Sequence, residues 1–176
     1  MAIRRFFIGL AVVSIFVIGI WLLGSVPQAM AETLNFKWLA QVTKDETFPL
    51  PDAEGHQVGL TRFDGVLILE NGQLAWTRAV VLWDMTKGAG TLENYRTLTF
   101  QDGSTISDHT KGTQQATSAG VPSGAKRTGE IIHGTGRFQG IKGTVTTSSK
   151  RLPLEKGELG GKVLGEGTWV YTLPSK

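Results

Sequence analysis

The sequence predicts an all-β fold after residue 31: about eight antiparallel strands in one domain, arranged as a sandwich or a closed barrel. Three observations carry this. Apolar residues alternate with polar ones almost everywhere after Glu32, and helical spacing is almost absent. Two-residue turn signals recur between the apolar runs, at Asn71-Gly72 and Asp102-Gly103, with "KGAG" (Lys87 to Gly90) between them. The runs themselves fall at roughly 10–15-residue intervals, the spacing of short strands joined by turns.

Taken in order, "LNFKWLAQV" places Leu34, Phe36, Trp38, Ala40 and Val42 on one face, a half-buried strand. A loop is expected at "DETFPLPDAEG", where Pro49 and Pro51 oppose regular pairing. "GLTRFDGVLILE" and "QLAWTRAVVLWDM" flank Asn71-Gly72, a strong hairpin signal because both residues tolerate positive φ. "TLENYRTLTF" and "STISDHTKGTQQ" extend this into a meander of three hairpins. Ala116 to Gly129 is the longest run of small and polar residues and is expected to be a surface loop. "EIIHG", "IKGTVTTSS" and "GKVLGEGTWVYTL" supply the last three strands, with a second loop at "KRLPLEKGELG".

The first 31 residues are of another kind. Arg4 and Arg5 precede an uncharged run from Phe6 to Gly24, and Ala29 and Ala31 then stand in the A-x-A arrangement of a signal-peptidase site. The run exceeds the roughly 7–15 apolar residues of a cleaved signal and approaches the roughly 20 that span a bilayer. Residues 1–31 are therefore expected to be a signal peptide or an uncleaved anchor helix, crossing the membrane through residues 6–24. The "RRFFI" start also weakly resembles a twin-arginine signal. Residues 32–176 are exported in each case, either secreted or periplasmic, or held outside the cytoplasm by the anchor.

Composition excludes several classes. The chain has no cysteine, hence no disulfide, thiol nucleophile or lipoprotein anchor. The formal net charge is +3, but Arg4 and Arg5 supply two of those units, and no basic block remains to suggest nucleic acid. His56, His109 and His133 share no face at ligand spacing, so neither a metal nor a cofactor is expected. His109 beside a carboxylate is a candidate general base, though a lone histidine is more often structural. No G-x-S-x-G motif is present.

The glycine-rich stretch "GTGRFQGIKGT", Gly134 to Thr144, sets Gly134, Gly136, Gly140 and Gly143 around Phe138. A phosphate cradle needs a following helix, and "IKGTVTTSSK" is a β sequence. A flexible linker is disfavoured because Phe138 and Ile141 sit among the glycines and need burial. Corner glycines of a curved sheet remain. These residues resemble the G-[TS]-G-x-F-x-x-A-x-G signature of allene oxide cyclase-like barrels, which include plant dirigent proteins. Ile141 stands where that pattern usually has alanine. "YRTLTFQDGSTI" is similar to the family's central hairpin and "GEGTWVYTL" to its closing strand. The resemblance implies a single eight-stranded antiparallel β-barrel that holds a small apolar molecule or directs its cyclisation or coupling. It carries no catalytic position onto this chain.

Ligand-pocket candidates are polar or aromatic residues in an apolar phase. Leu92, Asn94, Arg96, Leu98 and Phe100 alternate on one strand, which would aim Asn94 and Arg96 inward. The plainer alternative turns Tyr95, Thr97 and Thr99 inward. On the preceding strand Leu74, Trp76, Arg78, Val80, Leu82 and Asp84 share a face while Val81, Trp83 and Met85 fill the other. Such a strand is covered on both sides, by the N-terminal segment or by a partner subunit. A buried arginine must find a carboxylate or an anionic ligand. Asp108, in phase with Ile106, is one such partner, leaving structural pairing and ligand capture both open. Trp38, Trp76, Trp83 and Trp169 either line an aromatic pocket or fill the core. Three functions follow: binding of a small hydrophobic molecule, with a homo-oligomer left open; a cofactor-independent cyclase or isomerase; and a ligand-free structural envelope protein.

Overall fold

A computed structural model describes residues 30–118 and 122–174 of the chain, so the segment expected to be a signal or anchor lies outside the described residues. Eight strands form: β1 (Glu32–Pro49), β2 (His56–Leu69), β3 (Leu74–Thr86), β4 (Ala89–Phe100), β5 (Thr105–Ala116), β6 (Pro122–Gly134), β7 (Lys142–Arg151) and β8 (Lys162–Thr172). Each pairs antiparallel with its neighbours in sequence, and β8 returns to β1, with Leu34 opposite Trp169 and Trp38 opposite Gly165. The sheet is a closed barrel, in which the β1–β8 ladder joins the first strand to the last so that neither is a free edge along it. Among the described residues no helix is long and apolar enough to cross a membrane.

The three hairpins of the meander are present. At the first, Gly72 takes positive φ while Asn71 does not. The turn in which both central residues are left-handed is Lys87-Gly88, at φ 51° and 80°. Two loops are shorter than the sequence suggests. β1 runs through the expected Pro-rich loop to Pro49, which sits opposite Gln57 as the last rung of the β1–β2 ladder. Proline is tolerated there because no further rung needs its missing N–H. β5 runs to Ala116 and β6 begins at Pro122, so Pro122 to Gly129 of the expected Ala116–Gly129 loop is strand. The small residues of β6 obscure a regular alternation in which Ala125, Arg127, Gly129 and Ile131 share one face.

One half of the barrel interior is filled. Phe36, Trp38, Leu67, Leu98, Phe100, Ile106, Val145 and Trp169 pack there, with Trp169, Leu67 and Leu98 fully buried. Burying each such side chain contributes about 1.5–3 kcal/mol. The glycine motif closes this end. Between β6 and β7 the chain makes one short turn, Gly136–Phe138, that lays Phe138 against Phe100 with ring centroids 4.9 Å apart. Arg137 covers both rings from outside and reaches Asp102 and Gln73 in the turns of two other hairpins. Gly136 has φ 60°, and a Cβ there would also stand 2.8 Å from that of Ser104. The crowded glycines therefore shape a plug, and the segment beyond them is strand.

Candidate functional site

The other end of the barrel is open. β1 shifts register between Val42 and Lys44, and from there to Pro49 it pairs with β2 alone, so the β1–β2 ribbon extends past the last β1–β8 rung at Gln41–Lys162. Beneath this ribbon lies a cavity of about 820 Å³. Its apolar wall comes from β2, β3 and β4, through Phe63, Val81, Trp83, Met85 and Leu92. Its polar wall comes from β6 and β7, through Arg127, Thr147, Ser149 and Arg151. In an eight-stranded barrel these two strand sets stand opposite one another, so the cavity is apolar on one side and cationic on the other.

Arg96 and Trp38 line the floor of the cavity, and Asp108 lies buried beneath. Arg96 and Asp108 are direct cross-strand partners, at 6% and 0% side-chain exposure. The Arg96 Nε donates to Asp108 Oδ2 at 3.1 Å and its Nη2 to the same oxygen at 2.5 Å. The guanidinium also lies over the rings of Phe36, Trp38 and Trp169, 5.0, 5.5 and 5.9 Å from their centroids. Paired and stacked in this way, the buried charge is well compensated. Asn94 donates to Thr110 Oγ1 at 3.3 Å on the same floor. Nearer the mouth, Trp83 Nε1 donates to Thr61 Oγ1 at 3.0 Å, and the Thr61 hydroxyl donates in turn to Asp45 Oδ1.

Burial pushes the Arg127 guanidinium down to about 10, with repulsion from Arg96 acting the same way and Asp108 opposing it. Arg127 remains a cation at neutral pH. By surface area it is only half-buried. It lines the cavity, and burial there leaves its charge poorly solvated. Arg151 is lowered by burial and raised again by Asp45, and its Nη1 donates to the Gly160 carbonyl at 3.0 Å.

The structure brings Asn94, Arg96 and Asp108 together inside the barrel, in the first of the two phases considered for β4; Tyr95, Thr97 and Thr99 face outward. It corrects the phase of β3. Trp76 is 53% exposed on the outer face, and Arg78, also outside, pairs with Asp64 at 2.8 Å. Neither lines the cavity. β3 is apolar on both faces, so its own pattern is ambiguous. Register decides it: Thr77 stands opposite the buried Leu98 and shares its face. Asp108 accordingly serves Arg96. His109 is outside as well, stacked on Tyr95 at 4.4 Å and bonded to Glu93 Oε1 at 2.7 Å, away from the cavity. Among the described residues no group of side chains is placed to hold a metal ion.

Arg127, Arg151, Asp45 and Thr61 were not among the expected site residues. The alternation through Ala125, Arg127, Gly129 and Ile131 was the available signal for the first. Asp45 lay in a segment expected to be loop.

These features define a class: a closed eight-stranded antiparallel barrel, plugged at one end and open to a mixed apolar and cationic cavity at the other. No protein-family model matches the chain, and no curated protein does. Solved structures of dirigent barrels do match. The pterocarpan synthase dirigent protein GePTS1 superposes with a TM-score of 0.51 at 16% identity, over 86% of this chain and 93% of that one. The pterocarpan synthase dirigent protein PsPTS1 gives 0.50 at 16% identity, over 85% and 99%. The fold is thus the dirigent-like barrel that the Gly134–Thr144 motif resembles. At such identity it is the fold alone that is shared.

Proposed function

We propose that the barrel of residues 32–176 binds one small hydrophobic molecule in the open half of its interior. The observation that supports this most directly is the cavity of about 820 Å³. Ligand sites typically span roughly 300–1,000 Å³, mostly apolar with a few placed polar groups. A purely structural core would be packed until few voids larger than a water remained. The larger core cluster, with Trp38 and Trp169, packs in the filled half. Extraction of the purified protein followed by mass spectrometry tests the reading. A co-purified apolar molecule supports it; an empty barrel that also ignores neutral apolar probes refutes it.

A cyclase or isomerase is the second reading. Both similar solved structures are named as synthases. In this chain the Asp45 carboxylate, held by Thr61, lines the same cavity and is placed to move a proton to or from a bound molecule. Asp45→Asn separates the two readings: a binding protein retains its ligand, whereas an enzyme also retains binding but loses turnover. The third reading, a ligand-free envelope protein, accounts for the plugged half alone.

Export is part of the proposal. Residues 1–31 act as a signal or as an anchor through residues 6–24, which places the barrel outside the cytoplasm; the mass of the mature N-terminus distinguishes the two. Self-association would use the outer row in which Leu39 stands opposite both Val66 and Leu164, and Val66 opposite Trp76. Light scattering measures it directly.

A further inference from the structure

Counting charges in the cavity leaves one cation over. Lys87 meets Glu54 at 2.9 Å near the mouth, Arg96 meets Asp108 on the floor, and Arg151 lies in the field of Asp45. Arg127 forms no salt bridge among the described residues. Its polar contacts there are Thr147 Oγ1 and Ser149 Oγ, both at 3.4 Å. A guanidinium carries five N–H donors, so most of those on Arg127 are left to the cavity. Among the described residues the one buried side-chain polar atom without a partner is the Trp169 indole nitrogen. The unbonded donors of Arg127, which lines the cavity, are therefore not sealed in the wall.

We propose that Arg127 is an anion subsite: flanked by the Thr147 and Ser149 hydroxyls, it takes the carboxylate of an amphiphilic organic acid whose apolar body lies across the barrel against Phe63, Val81, Trp83, Met85 and Leu92. The chemistry selects this class. The surplus is a single positive charge, which a carboxylate neutralises and a phosphate dianion overshoots. The planar fork of a guanidinium matches a carboxylate in two parallel hydrogen bonds. Because β6–β7 face β2–β4, a molecule with its head on Arg127 meets apolar surface with its body. This inference rests on the cavity being a ligand site, and its test separates the two claims.

Two fluorescent probes share one aromatic body: 8-anilinonaphthalene-1-sulfonate carries an anionic group and N-phenyl-1-naphthylamine carries none. Titrated into the full-length chain, the anionic probe is expected to bind more tightly, with one site per chain. Arg127→Gln is expected to weaken it by about 10- to 100-fold, the range of a lost charge-assisted contact. The neutral probe should be unaffected, which also shows that the variant is folded. If Arg127→Gln does not fold, competition on the unmodified chain decides: decanoate should displace the neutral probe at lower concentration than decanol. Equal binding of the anionic probe to Arg127→Gln, or equal competition by decanoate and decanol, overturns the anion subsite while leaving the cavity a ligand site. Binding of neither probe overturns both.

Discussion

Replacing Asp108 with alanine removes the carboxylate that compensates a guanidinium at 6% exposure. Breaking a buried ion pair by deleting one partner costs about 3–5 kcal/mol, because the other charge stays buried and unpaired. Two features of the site act in opposite directions on that figure. Arg96 keeps its three aromatic neighbours, and cation–π attraction to desolvated rings is worth about 2 kcal/mol. Arg127, which Asp108 also attracts, loses that attraction at the same time. The expected loss therefore stays at about 3–5 kcal/mol, a large part of the roughly 5–15 kcal/mol that holds a domain folded. For a chain of this size each kcal/mol shifts the midpoint by about 2–4 °C, so Asp108→Ala should melt about 6–20 °C lower. The assay is thermal and urea unfolding followed by far-UV circular dichroism. Arg78→Ala is the control. It breaks a pair of similar length on the outer wall, where Arg78 is 59% exposed, and should cost about 0–1 kcal/mol. The double variant Arg96→Met/Asp108→Leu removes both charges and should recover most of the loss. Equal costs for Asp108→Ala and Arg78→Ala would refute the reasoning.

Three further outcomes follow from the same geometry. Gly136→Val should destabilise the barrel by about 1–3 kcal/mol through its left-handed φ, with crowding against Ser104 added; an unchanged melting point would show that the plug rearranges freely. His56 bridges Asp52 at 2.7 Å and Asp84 at 2.9 Å, tying the β1–β2 connection to β3. The hydrogen bonds to Asp52 and Asp84 raise its pKa above the ordinary 6.5, so the clasp contributes fully below that value and is lost as pH rises through the raised one. Amide exchange in residues 50–57 should quicken over that rise in pH, and a flat profile, or the same profile in His56→Ala, would count against the clasp. Ala79→Phe should fill the cavity from β3 and weaken N-phenyl-1-naphthylamine binding at least about tenfold while the barrel stays folded, because it projects into open space rather than packed core; undiminished binding would place the probe elsewhere.

Part of the site was legible in side-chain alternation. In β4 the sequence offered two phases, and the structure takes the one in which Leu92, Leu98 and Phe100 carry Asn94 and Arg96 inward with them. In β5, Ile106 does the same for Asp108. β3 offered no such asymmetry, and Trp76 and Arg78 were placed by the wrong phase for that reason. β6 was hidden differently. Its glycines and small residues read as loop when considered alone, and they are strand because β5 and β7 flank them on both sides.

The number of strands, their antiparallel order, the hairpin turns and the corner role of the glycines were legible in the chain alone, whereas the plug those glycines build was not. The legible features follow from local rules: side-chain alternation, turn residues and the steric freedom of glycine. Tertiary structure alone decided which arginine is compensated and which is not. Arg96 and Asp108 are twelve residues apart and meet only by cross-strand register, and Arg127 is left over only once the barrel has closed. Burial and pairing depend on what stands across the interior, and no strand carries that information alone.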